Sequence, residues 1–130
     1  MANLTPQLIP KLTRQQREAK GRRAEQIAMW FLRLKFYRLL AVRYKTPVGE
    51  IDLIMRHGPD VVFVEVKARD SLEAGLEAVT PQQQLRMQQA ATWFMAKNPP
   101  QAPYNWRFDV VVVRPRHLPY HAQNVLINTT

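Results

Sequence analysis

Asp52, Glu65 and Lys67 are the residues whose types and spacing point most directly to chemistry, provided the chain folds back between them. The intervening residues favour that. Glu50 to Arg56 and Val61 to Arg69 suit strands, and His57, Gly58, Pro59 and Asp60 are turn formers. With the turn centred between Gly58 and Pro59, counting outward sets Asp52 opposite Glu65 and Glu50 opposite Lys67. Alternation then places Ile51, Leu53 and Met55 beside Val66, Val64 and Val62 on a wholly apolar face destined for the core. The other face carries Glu50, Asp52, Glu65 and Lys67, with Ile54 and Phe63 as an apolar floor. A slip of one residue would turn Glu65 and Lys67 into the core, a costly burial of charge, so the hydrophobic pattern selects this pairing. Strands ~4.8 Å apart let both carboxylates reach one hard cation at its ~2.1 Å magnesium bond length. Such a cation acidifies water, and with Lys67 it stabilises the added negative charge of phosphodiester hydrolysis. The competing reading is a solvated hairpin face, with Glu50–Lys67 and Glu65–Arg69 as surface pairs worth at most ~1 kcal/mol each.

Other elements must hold this hairpin in place. From Arg14 to about Phe36, Ala24, Ile27, Ala28, Phe31 and Leu34 recur at helical spacing and predict one buried face. Residues 1–13 read as a flexible basic arm. Tyr37 to Lys45 suits a first strand, closed by a turn at Pro47 and Gly49. Thr80, Pro81 and Gln83 resemble an N-cap, a first-turn proline and a capping-box partner. The helix they open should run to about Lys97, bury Met87, Ala91, Phe94 and Met95, and stop before Asn98, Pro99 and Pro100. Trp106 to Val113 reads as a strand covered on both faces. The order is αβββαβ, an α/β fold in one domain over 14–126, with 127–130 as a tail.

Nineteen Lys and Arg against ten Asp and Glu give a net charge of +9, a field that attracts polyanions and makes nucleic acid the expected partner. Arg14, Arg17, Lys20, Arg22 and Arg23 scatter charge around the first helix and predict a phosphate-contacting surface. No apolar run approaches the ~20 residues of a membrane span, so no membrane partner and a cytoplasmic location are expected. Without cysteine there is no thiolate nucleophile or Cys-based zinc site, and oxygen ligands favour Mg2+ or Mn2+. His57, His117 and His121 have no acid or serine placed to build a triad.

The segments Gly49-Glu50-Ile51-Asp52-Leu53-Ile54 and Val62-Phe63-Val64-Glu65-Val66-Lys67-Ala68-Arg69 resemble the D...E-x-K core of the PD-(D/E)xK nuclease superfamily. Together with Gly21-Arg22-Arg23-Ala24-Glu25-Gln26-Ile27-Ala28 and Arg107-Phe108-Asp109, they resemble the YraN-like family of uncharacterised bacterial proteins, related to archaeal Holliday-junction resolvases. The resemblance runs from about Gly21 to Leu126. It implies a restriction-endonuclease-like fold, Asp52 and Glu65 as metal ligands, Lys67 as the catalytic lysine and Glu25 as the first-helix acid that completes the site. On residues alone, Glu25 would instead pair with Arg22 within the helix. Glu50 is auxiliary, positioning Lys67. Arg69 joins the nucleic-acid contacts. So does Gln83, which stands where relatives commonly place a lysine, although its capping-box role is the stronger expectation. Asp109 is expected to fix local structure.

The resulting expectation is a Mg2+- or Mn2+-dependent endonuclease on branched, flapped or end-bearing DNA, with a homodimer as an open option. A catalytically weak or inactive nucleic-acid-binding module is the alternative, followed by an interaction module for an acidic protein.

Overall fold

A computed structural model describes residues 11–99 and 104–125. Most of the expected arm and the whole of the expected tail lie outside these residues. Helix α1 (Arg14–Leu34) begins at a complete capping box: Thr13 Oγ1 accepts the Gln16 N–H at 3.1 Å, and Gln16 Oε1 accepts the Thr13 N–H at 2.8 Å. It ends at Lys35, before Phe36 at φ 71. Its buried row is Ala24, Ala28, Met29 and Leu32. The expected face was therefore too wide. Ile27 and Leu34 stay 46% and 77% exposed, because the helix meets the sheet along a row spaced by four, where Ala24 and Ala28 permit close approach.

Strands β1 (Arg38–Thr46), β2 (Gly49–His57) and β3 (Asp60–Ala68) form an antiparallel meander. Strand β4 (Asn105–Val113) runs parallel to β3, and β5 (Tyr120–Ala122) pairs antiparallel with β4, completing a five-stranded sheet in sequence order. The β2–β3 turn carries Gly58 at φ 59, the left-handed backbone that a two-residue hairpin loop requires of its first residue, followed by Pro59. A parallel neighbour needs a crossover, here made by α2 (Leu72–Glu77) and α3 (Pro81–Lys97).

Alternation along the strands divides the core. Leu53, Met55, Val62, Val64, Val66 and Val111 pack under α1. Ile54, Val61 and Phe63 pack on the opposite face under Ala90, Ala91, Phe94 and Met95 of α3. Two elements were not anticipated. Helix α2 is short and carries a mid-helix glycine, Gly75, whose Cβ would lie 2.5 Å from Val112 Cγ1, so a side chain there would collide with the core. Strand β5 is three residues in a proline-flanked tail, below the length that a periodic pattern can reveal. Ile51 also departs from expectation. It packs on the α3 side rather than with Leu53 and Met55 because alternation breaks at Asp52, opposite Arg43 of β1, whose φ is 48.

Candidate functional site

The β2–β3 register is the expected one from His57/Asp60 to Leu53/Val64. Beyond that pair the carboxylate of Asp52 takes over from the ladder: its Oδ2 accepts the Val66 N–H at 2.8 Å. Glu65, on the next residue of β3, is 5% exposed, with Oε2 3.2 Å from Lys67 Nζ and 2.6 Å from Gln83 Nε2 of α3. Asp52, Glu65 and Lys67 thus converge where the hairpin strands part. This is no solvated face. Lys67 is largely buried, and Arg69 turns its Nη1 to the Ala68 carbonyl rather than to Glu65.

Glu25 reaches the same place from α1. Its Oε1 lies 2.8 Å from Arg43 Nε, so the partner is across the sheet edge and not Arg22. Glu25, Glu50 and Asp52 together draw the Arg43 guanidinium further above its ordinary value, the Glu25 hydrogen bond most of all. Arg43 had not been singled out. A basic residue in a strand is unremarkable in sequence, and its left-handed φ is not written there. Glu50 is exposed and lines a neighbouring cleft, and the expected Glu50–Lys67 pairing is absent because the ladder ends at Leu53/Val64.

Burial first, and then the adjacent Glu65, push the Asp52 carboxyl up to about 8 against the opposing Val66 N–H and Lys67. Burial also raises Glu65, against the pull of Lys67 and Gln83. Two acids are held together in a dry place with less positive charge than their full ionisation needs. Their oxygens suit a hard divalent cation. No cluster of three or more Asp, Glu, His or Cys able to hold a metal occurs among the described residues, so the protein's share would be these two carboxylates, a donor count usual for Mg2+.

The α3 N-terminus supplies the remaining wall. Thr80 Oγ1 accepts the Gln83 N–H at 3.1 Å, as an N-cap does, but the Gln83 side chain goes to Glu65, not back to Thr80. The expected capping box is half formed, because a buried carboxylate is the better acceptor. An open cleft of about 770 Å³ lies alongside, lined by Lys45, Gly49, Glu50, Gln83 and Arg86 among others. The glycine before Glu50 has a reason here: a Cβ on Gly49 would lie 2.9 Å from the Arg86 carbonyl oxygen.

The basic residues of α1 do not form one surface. Arg14 pairs with Glu18, Arg17 donates to the Leu12 carbonyl, and Arg22 is exposed. Lys20 and Arg23 instead line a groove together with Arg69.

Arg107-Phe108-Asp109 builds a separate buried network. Asp109 is fully buried and receives Arg107 Nη2 at 2.8 Å, His121 Nε2 at 2.6 Å and the Asn124 N–H at 2.9 Å. Arg107 also reaches Asp60 and the Tyr37 hydroxyl. The structural role expected for Asp109 holds. His121, however, does have an acid partner; its other nitrogen faces Lys35 Nζ at 2.8 Å rather than a nucleophilic hydroxyl, so no triad forms.

A five-stranded mixed sheet with α1 on one face and the crossover helices on the other, opened beside paired acids, defines an α/β protein of restriction-endonuclease-like architecture. The model of the Uncharacterised protein family UPF0102 matches residues 24–113, and the chain belongs to that family, the YraN-like group that its motifs resemble. Among its relatives, the UPF0102 protein of Chelativorans sp. (strain BNC1) is 47% identical over 115 residues, covering 88% of this chain and 93% of the relative. The UPF0102 protein of Bartonella tribocorum is 40% identical over 121 residues, covering 93% of each. The family match includes Glu25, Asp52, Glu65, Lys67 and Asp109 but stops short of the basic first turns of α1 and of Arg114. No helix among the described residues is long and apolar enough to cross a membrane.

Proposed function

We propose that the chain is a metal-dependent DNA endonuclease acting at branched, flapped or free-ended DNA. The observation that carries this is the convergence of a half-buried Asp52 with the buried Glu65, Lys67 lying 3.2 Å from Glu65, an acid pair that needs a cation to ionise fully. Asp52 and Glu65 would hold Mg2+ or Mn2+, which when bound supplies an acidified water and neutralises phosphate charge. Lys67 meets the negative charge that develops on the phosphate. Glu25 holds Arg43 beside Asp52, and Gln83 keeps Glu65 oriented through its 2.6 Å bond. The site rests on two strands and two helices, so its groups are positioned before substrate arrives.

A catalytically weak DNA-binding module is the second reading. It is favoured by Gln83 and Lys67 sharing Glu65 Oε2, the oxygen that a metal would also seek. Manganese-supported cleavage of linear, flap and four-way-junction DNA, beside calorimetric titration of the metal, separates the two. The nuclease reading expects Asp52→Asn and Glu65→Gln to lose metal and cleavage together. It expects Lys67→Met to keep metal while cleaving about a hundredfold more slowly, the loss typical of one missing transition-state donor. Metal binding by both acid variants as tight as that of the unmodified chain would end the assignment.

A further inference from the structure

At the ends of β3 and β4, on the α1 side of the sheet, the chain forms a groove of about 350 Å³ whose charged lining is entirely cationic, Lys20, Arg23, Arg69, Arg114 and Arg116, with His117 beside them. They come from three places in the sequence. Lys20 and Arg23 project from α1. Arg69 follows the last β3–β4 pair, Ala68/Val113, and its N–H is bonded to the Val113 carbonyl at 3.1 Å, which ties it beside Arg114. Arg116 sits at φ 62 in the loop leading to β5, where His117 Nδ1 lies 2.9 Å from the Pro115 carbonyl oxygen.

No acid lines the groove, and among the described residues none of its Lys and Arg side chains has a carboxylate partner. Arg114 Nε is buried with no hydrogen-bond acceptor on the described protein. Gathering like charges without partners costs self-repulsion, and a buried donor without an acceptor adds its own desolvation cost. A polyanion relieves both. The groove shares two elements with the acidic site: Lys20 and Arg23 stand within five residues of Glu25 on α1, and Arg69 stands two residues beyond Lys67 at the end of β3.

We propose that this groove is a backbone-phosphate cradle for the DNA strand flanking the site, with Arg114 and Arg116 among its contacts. The proposal rests on the nuclease reading for the identity of the polyanion. Binding of a fluorescent duplex in EDTA, at varied salt, measures it without cleavage. Five phosphate contacts from Lys20, Arg23, Arg69, Arg114 and Arg116 imply a slope of log affinity against log salt of roughly −4 to −5. Arg114→Ala/Arg116→Ala should flatten that slope by about two. Arg33→Ala/Lys97→Ala, which removes equal charge from the far ends of α1 and α3, should leave it unchanged. Should the first double variant fail to fold by circular dichroism, the single Arg116→Glu, at an exposed loop position, must still flatten it. An unchanged slope in a folded groove variant, or equal flattening in the control, overturns the proposal. A groove-dependent slope without any manganese-supported cleavage would keep the cradle and remove the nuclease reading; cleavage with an unchanged slope would do the reverse.

Discussion

Asp52 keeps its proton far above the ordinary carboxylate range because burial disfavours its charge and Glu65 repels it. The consequence for stability follows from proton counting. Between 3.8 and about 8 the Asp52 of the unfolded chain is ionised while that of the folded chain is not, so the folded state binds more protons and loses stability as pH rises through this window. In EDTA the melting temperature should therefore decline across it more steeply than in Asp52→Asn, where the group is gone. Adding Mn2+ at the upper end should restore the unmodified chain and not the variant. Identical pH profiles for the two proteins would show that Asp52 titrates as an exposed acid.

Among the elements, α3 and β2 meet at Gly49 and Arg86, and this contact bears on the site because Gln83 lies one turn from Arg86 on the same helix. Alanine at position 49 would press its Cβ to 2.9 Å from the Arg86 carbonyl oxygen and drive the helix outward. Overpacking of this kind costs roughly 1–3 kcal/mol. Denaturant titration of Gly49→Ala should show such a loss, with weaker Mn2+ binding as Gln83 withdraws from Glu65. Gly21 is the contrast. Nothing lies within 4 Å of a Cβ there, so Gly21→Ala should be neutral or stabilise by up to ~1 kcal/mol through helix propensity. Equal behaviour of the two variants would mean that the Gly49 contact carries no strain.

Across the whole molecule the Asp109 network joins the turn end of β3, through Asp60, to β4, β5 and the residues after α1. Burial works against the Asp109 charge, yet the bonds from His121, Arg107 and the Asn124 N–H outweigh it and hold the carboxyl below its ordinary range. Its sign is opposite to that of Asp52: the stabilisation is present above the unfolded value of 3.8 and is lost as pH falls through the lower folded value. Removing one member of such a buried set costs about 3–5 kcal/mol. Asp109→Asn should show that loss in urea unfolding, along with a shallower acid limb. A cost below about 1 kcal/mol, the usual range for a surface ion pair, would show that the network is not holding these elements together.

What was legible in the sequence were the features set by local rules. The β2–β3 register could be read because one slip would reverse every side chain between core and site, and Gly58-Pro59 and Thr80-Pro81 mark a turn and a helix start by backbone chemistry alone. The candidate acids and lysine followed from that register, and the family motifs added Glu25. Four things depended on how elements approach one another. The rotation of α1 onto Met29 and Leu32, the broken alternation at Asp52 opposite Arg43, the diversion of Gln83 from its cap to Glu65, and the meeting of Arg69 with Arg114 and Arg116 are contacts between segments far apart in the chain. Periodicity reports which side of an element is apolar. Only packing decides how far that side turns toward the sheet, and which polar group then finds a buried carboxylate within reach.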